Sequence, residues 1–388
     1  VTEPVVIISL SLLLYAYIFY PAVMITGSFL VRKRKFVDHN DLPTVTVLMA
    51  LHNEEEVIGE TLDALFGSDY PADRIEVLTG SDNSTDLTNR ILTEAASRYP
   101  GLTPLFFEQR MGKPAIINRL AERANGDILI ISDADIRVDR DTITELVKPF
   151  ADSITGLTEP LFKRDRIRET GVALQELTYL GYESMLKKAE SEIFGFYPGV
   201  SGGFYAIRRE LYAPVPEHFL VDDFYISMNV AISGYNTIIT GRSVVYETIP
   251  NHPDLHFRRK NRIAAGNFQN LFHFARRLVM PFNKIFIPFL SHKVIRWTGP
   301  FLFIILFIFN LFMLEVSVLH QLLFLIQLIL IILPPLDILL SKAGINLVPL
   351  RFITHFALMN MALITGFFQF AGGIKSGIWE PTKRFKNE

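Results

Sequence analysis

Gly126-Asp127-Ile128-Leu129-Ile130-Ile131-Ser132-Asp133-Ala134-Asp135 is the stretch on which the reading of this chain turns. The run 128–132 is short, apolar and bracketed by a glycine and two acids, as expected of a strand buried in an α/β sheet. Asp133 and Asp135 then fall at its carboxyl end, where open α/β sheets bind ligands. Residues i and i+2 of a strand point to one side, so both carboxylates can face one cation. Hard oxygen ligands of this kind suit Mg2+ or Mn2+ carrying a diphosphate. The competing account is a strand-to-loop turn in which aspartate serves turn geometry alone.

The residues upstream supply a context for that strand. Residues 44–50 read as a strand, and Asn53-Glu54-Glu55-Glu56, followed by Val57, Ile58, Leu62 and Leu65, as the acidic first turn of a helix. A second strand over 74–80 leads through Ser81-Asp82 into a helix ending near Ser97. A third strand at 105–107 and a helix over 114–124 complete the set. Strand and helix alternating at this spacing predict a parallel sheet of βαβ units. Neither a Gly-x-Gly-x-x-Gly nor a Walker loop is present, which argues against dehydrogenases and P-loop NTPases. Downstream, 167–189 is helical. Ser201-Gly202-Gly203 is either a turn or a place where a substrate approaches the backbone. Asp222-Asp223 opens a helix to Ser233, for which helix-dipole complementation is a sufficient reason. Short strands are expected at 237–240 and 243–248, followed by the basic run 256–262.

The chain has 388 residues, 49% of them hydrophobic, with 32 phenylalanines, so it holds a soluble-type domain plus apolar segments at both ends. A net charge of -2 argues against a general nucleic-acid partner. The lack of cysteine rules out disulfides, thiolate-bound metal and thiol catalysis.

Residues 5–31 are long enough to cross a bilayer and end in Arg32-Lys33-Arg34-Lys35, which puts the following domain on the cytoplasmic side by the positive-inside rule. The expected layout is an anchor over 1–35, an α/β domain over 36–266, interfacial amphipathic helices over 267–297, transmembrane segments over 298–374 and a basic tail over 375–388. Within 298–374, a hairpin of 298–314 and 322–333 is closed by Pro334-Pro335, and 352–373 forms a further segment. Three full crossings after the domain would leave the basic tail outside, against the same rule. The segment holding Asn360 and Gln369 is therefore expected to lie along or re-enter the membrane.

Six short motifs stand in order along 40–265: Ala50-Leu51-His52-Asn53-Glu54-Glu55, Asp82-Asn83-Ser84-Thr85-Asp86, Arg110-Met111-Gly112-Lys113, Asp133-Ala134-Asp135, Ser201-Gly202-Gly203 and Asp222-Asp223. Together with membrane segments on both sides, they resemble family 2 glycosyltransferases, in particular the membrane branch of cellulose, hyaluronan and chitin-oligosaccharide synthases. The resemblance implies a GT-A fold and inverting transfer of a sugar from a nucleoside diphosphate, with UDP expected, aided by Mg2+ or Mn2+. It implies that Asn53, Glu54 and Asp82 line the nucleoside pocket, that Lys113 approaches the diphosphate, and that Asp133 and Asp135 hold donor and metal. Asp223 matches the final acid of the family's Thr-Glu-Asp motif, the general base. Ser201, Gly202, Gly203 and Asp222 would face the acceptor, and Arg259 and Arg262 would add positive charge over the diphosphate. The polymerising motif Gln-x-x-Arg-Trp reads Arg259-Lys260-Asn261-Arg262-Ile263, and loss of its tryptophan argues against processive synthesis. Residues 379–384, Trp-Glu-Pro-Thr-Lys-Arg, resemble the tail pattern of related membrane synthases.

The expected activity is transfer to a lipid-linked or glycan acceptor at the cytoplasmic face of the inner membrane. Two alternatives stand beside it. A processive synthase would also translocate its polymer, and its thin wall of spans would need a homo-oligomer or synthase-complex subunits to complete a channel. A subunit that only senses nucleotide sugar would need no base.

Overall fold

The computed structural model describes residues 2–32, 41–164, 173–247, 253–278, 284–374 and 376–378. Lys33, Arg34 and Lys35 and the 379–384 motif lie outside the described residues. The chain divides into two compact units, an α/β unit (Ser28–Ile167, Lys187–Pro250 and Ile374–Glu388) and a helical unit (Val1–Gly27, Arg168–Leu186 and Asn251–Gly373).

Eight strands form one sheet in the α/β unit: β1 Val45–Leu51, β2 Ile75–Asp82, β3 Leu102–Phe107, β4 Ile128–Ser132, β5 Arg137–Val138, β6 Thr155–Arg164, β7 Phe204–Arg208 and β8 Asn236–Glu247, in the order β3-β2-β1-β4-β7-β6-β8-β5. The first four are parallel, as the alternation of strand and helix predicts. The rest of the sheet is mixed, because β7 runs antiparallel to both β4 and β6 and β5 runs antiparallel to β8. Because β6 and β8 pair parallel and run in the direction of the first four, only β7 and β5 are reversed, and the sheet is mostly parallel as expected. The reversal matters for the site. Phe204 pairs with Ser132, and the Asp133 N–H donates to the Gly203 carbonyl at 2.8 Å, so Ser201-Gly202-Gly203 arrives at the carboxyl end of β4.

Strand β6 is not evident in the sequence because Gly156 and Pro160 interrupt its apolar pattern. Irregularities in its pairing with β8, between Thr155 and Leu157 and between Glu159 and Leu161, accommodate them. Strand β8 is one continuous element where two short strands are expected.

Both faces of the sheet are covered, which is why β4 is apolar without alternation. Ile128 and Ile130 pack with Val45, Val47 and Met49 on one side; Leu129 and Ile131 pack with Leu48, Ile117 and Tyr205 on the other. Ile130 is fully buried. Ile130→Ala is expected to cost about 2–5 kcal/mol, read as a lower denaturant midpoint with an unchanged slope.

In the helical unit, Thr2–Ser28, Phe286–Leu311, Val318–Lys342 and Val348–Ala371 are long and apolar enough to cross a membrane. Pro334 and Pro335 do not close a hairpin. They lie inside Val318–Lys342, where the following apolar residues prolong the helix. The run 267–297 is shared between the end of Pro253–Leu278 and the start of Phe286–Leu311. Glu183, on the part of Ala173–Phe194 that belongs to this unit, pairs with His292 at 2.8 Å, Arg296 at 3.2 Å and Lys293. Its carboxyl is held well below the usual range: burial opposes ionisation, and the three basic groups outweigh it.

Val348–Ala371 runs alongside Pro253–Leu278. Thr365 and Gln369 bond to Asn261 at 2.7 and 2.9 Å, Gly366 lies against Ala264 and Ala265, and Phe367 and Phe370 pack on Phe268 and Phe272. Nearer the start of Val348–Ala371, His355 shares Glu176 with Lys260.

Candidate active site

Four segments converge at the carboxyl ends of β1, β2 and β4. After β1 the chain does not enter a helix at Asn53; the helix Ile58–Phe66 begins later. Asn53 instead takes a left-handed conformation at φ 56°, where asparagine is better tolerated than most residues. Its Oδ1 accepts the Thr85 N–H at 2.8 Å, and its own N–H donates to Ser84 Oγ at 3.2 Å. The Glu54 N–H donates to Thr88 Oγ1 at 2.8 Å. The loops after β1 and β2 are thus latched to each other, which brings Asn53, Glu54 and Asp82 into one region.

Asp82 is fully buried and accepts the N–H groups of Met111 (2.7 Å) and Gly112 (3.0 Å). It thereby anchors the turn that presents Lys113, and a carboxylate with this geometry retains lone pairs for a further partner. Gly112 sits at φ +91°, with the backbone of Gly377 and Ile378 3.1–3.3 Å from where a Cβ would lie, so glycine is required there.

Lys113 starts the helix Lys113–Ala121; its Nζ donates to Asp133 Oδ1 at 2.6 Å and lies 3.5 Å from the Gly202 carbonyl. Burial works against its charge, but Asp133, Asp222 and Asp223 outweigh burial and raise it above the usual lysine range. Asp222 and Asp223 open the helix Asp222–Ile232, and Asp223 Oδ1 accepts the Phe224 N–H at 2.5 Å. A Cβ on Gly202 would stand 2.1 Å from Asp223 Oδ2. Burial, with Asp222 beside it, pushes the Asp223 carboxyl up to about 7 against the opposing charges of Lys113 and Lys187. Two carboxylates here have environments that separate their roles, one tied to a lysine and one poised to exchange a proton near neutrality.

Asp133 and Asp135 are hard ligands on one short turn. Among the described residues no group of three acidic, histidine or cysteine side chains is available to enclose a metal. That donor set does not make a closed protein cage, but it fits an octahedral Mg2+ or Mn2+ that takes its other ligands from a diphosphate and water.

Sequence reasoning thus leads to Asn53, Glu54, Asp82, Lys113, Asp133, Asp135, Ser201, Gly202, Gly203, Asp222 and Asp223, and the α/β unit contains all of them. Arg259 and Arg262 lie on Pro253–Leu278, in the helical unit. Lys187, Glu159, Tyr197 and Tyr205 were not legible. Tyr205 is buried, its hydroxyl has no hydrogen-bond partner among the described residues, and burial with Asp222 and Asp223 holds it well above the usual tyrosine range. The one sequence signal was charge inside apolar surroundings, as at Glu159.

A mixed eight-stranded sheet with acids at the carboxyl end of its fourth strand defines the GT-A class of fold. Residues 46–213 match the family model described as glycosyl transferase family 2, and the chain carries that glycosyltransferase domain. It is 26% identical over 235 residues to a probable glycosyltransferase, YdaM, of Bacillus subtilis (strain 168), covering 58% of this chain and 56% of that one. It is 37% identical over 116 residues to a beta-monoglucosyldiacylglycerol synthase of Synechocystis sp., covering 29% and 24%. The chain therefore matches about half, or less, of the length of these relatives. Its structure is similar to that of the mannosyltransferase PcManGT from Pyrobaculum calidifontis in complex with GDP-Man and Mn2+, with a TM-score of 0.71 and 23% identity, covering 96% of this chain and 99% of that one.

Proposed function

We propose that this protein is an inverting membrane glycosyltransferase that moves a sugar from a nucleoside diphosphate to a hydroxyl of a lipid-linked or glycan acceptor. The observation that carries the reading is Asp223, a carboxyl shifted toward neutrality, beside a glycine and across from the Lys113–Asp133 pair. The acceptor hydroxyl oxygen attacks the anomeric carbon as the bond from that carbon to the diphosphate oxygen breaks, and the hydroxyl proton passes to Asp223. Lys113, protonated throughout, stabilises the charge that develops on the leaving diphosphate. Asp133 and Asp135 are the residues to hold a divalent cation, which would neutralise that same charge. Asn53, Glu54 and Asp82 face the nucleoside. Ile263, where the Gln-x-x-Arg-Trp motif has tryptophan, supports transfer of one or a few sugars.

The test is nucleotide release by purified protein against UDP- and GDP-sugars, with Mn2+ or Mg2+ and a membrane lipid extract as acceptor. Release that requires both lipid and cation is expected. Silence across the panel would overturn the reading, and a ladder of long polymer would replace it with processive synthesis.

We also propose that the α/β unit is cytoplasmic and that Val348–Ala371 lies in the membrane interface. Its neighbour Pro253–Leu278 carries Arg258, Arg259, Lys260, Arg262, Arg276 and Arg277, a composition that excludes it from hydrocarbon. Shortly after Val348–Ala371 ends, Gly377 is buried, with the carbonyls of Glu217 and Phe219 2.3 and 3.2 Å from where its Cβ would lie. Both observations support an even number of crossings after the α/β unit, which returns the tail to its side. With no native cysteine as background, Ser376→Cys and Ser97→Cys are expected to react with an impermeant maleimide from the same face of sealed vesicles. Labelling from opposite faces would sink this topology.

A further inference from the structure

Behind the Ser201–Gly203 turn lies a buried charged group that the proposed reaction does not use. Glu159 on β6 is 3% exposed, and Lys187, near the end of Ala173–Phe194, is 7% exposed. Burying a carboxylate and an ammonium is costly unless each is paired and hydrogen-bonded. Here the pairing is directed at the turn. Glu159 Oε1 accepts the Ser201 N–H at 3.0 Å, and Oε2 accepts the Tyr197 hydroxyl at 2.6 Å. Lys187 Nζ lies 3.8 Å from Glu159 Oε1, donates to Ser201 Oγ at 3.2 Å, and sits 5.7 Å from the centre of the Tyr197 ring. Both the backbone and the side chain of Ser201 are therefore held from one side. On the other side the next residue, Gly202, abuts Asp223 and offers its carbonyl toward Lys113.

We propose that Lys187 and Glu159 are positioning residues that lock the Ser201–Gly202 turn against Asp223, so that the acceptor hydroxyl meets its base in register. The inference rests on the glycosyltransfer reading above for its catalytic consequence, but not for the lock itself. A turn so close to the base must be held within a few tenths of an ångström to be useful, and a glycine-rich turn does not hold itself. Lys187 has a second effect on the same side of the site. Its charge opposes burial and Asp222 in acting on Asp223, in the same sense as Lys113.

Lys187→Met keeps the length of the side chain and removes the charge; Glu159→Gln keeps an oxygen acceptor for the Ser201 N–H and removes the carboxylate charge paired with Lys187. In the purified full chain, hydrogen exchange of the segment 197–203 is expected to quicken at least about ten-fold in both variants, while β1 and β4 keep their protection. With a donor that supports release, kcat should fall about ten-fold or more, with the Kd for UDP or GDP plus Mn2+ unchanged within about two-fold. If Lys187→Met loosens β1 and β4 as well, Glu159→Gln decides. Wild-type exchange of 197–203 overturns the lock, as does a kcat near the wild-type value. So does a nucleotide Kd that weakens in step with kcat, because the whole site would then have collapsed. If the wild type itself releases nucleotide from no donor, the proposed reaction fails while the exchange measurement still decides the lock.

Discussion

Asp223→Asn is expected to lower kcat by about 10²–10⁴-fold, the range associated with loss of a general base, while nucleotide binding in the presence of Mn2+ stays close to wild type. Asparagine fills the same volume and can still accept the Phe224 N–H, so the helix start at Asp222 is preserved. What it cannot do is take a proton. The pH profile gives the same residue a second signature. A base acts only when ionised, and the Asp223 carboxyl is pushed up to about 7 by burial and by Asp222. The wild-type kcat/KM should therefore rise with pH through about 7, and that acid limb should be absent from the residual activity of Asp223→Asn. Full turnover in the variant would exclude Asp223 as the base, whereas undiminished biological function without turnover in either form would favour a protein that only senses nucleotide sugar.

Gly202→Ala is expected to abolish most turnover, by about 100-fold or more on the scale of a misplaced reacting group, with little loss of stability. The new methyl would stand 2.1 Å from Asp223 Oδ2, and the atom it meets is the free end of a side chain, which can rotate away. The fold survives that rotation, but the base leaves its position. Gly199→Ala provides the contrast. Gly199 has φ +80°, and its added methyl would meet the Phe224 ring at 2.5 Å, so that change should lower the melting temperature as well. A Gly202→Ala enzyme with normal kcat would show that Asp223 does not need the space beside Gly202.

The first half of the sheet was readable because its strands are local and apolar on both faces. Ile128 to Ser132, the parallel neighbours 45–51 and 75–82, and the acids that follow each strand all lie within short βαβ repeats. The second half was only partly readable: β8 was legible, as two short strands in place of one. Strand β6 hides behind Gly156 and Pro160. The pairing of β4 with β7 joins residues far apart in sequence, and no periodicity encodes which edge a late strand will choose. The helix expected at Asn53 failed because Asn53 adopts a left-handed turn that propensity does not register. At Pro334-Pro335 the rule that proline ends a helix gave way to an apolar environment that favours continuing it.

For the site, the sequence by itself determined the chemistry on offer: carboxylates after strands, a lysine at a helix start, an acid pair opening a later helix, and a glycine turn between them. These are residue types at helix and strand ends, whose local geometry is set by a few neighbours. The tertiary structure alone decided how they meet. Because β7 pairs antiparallel with β4, Gly203 bonds to Asp133 and Gly202 lies against Asp223; because Glu159 and Lys187 are buried behind them, that turn has something to rest on. Burial and the neighbouring Asp222 move the Asp223 carboxyl toward neutrality, and nearby carboxylates keep Lys113 protonated against burial; sequence specifies neither environment.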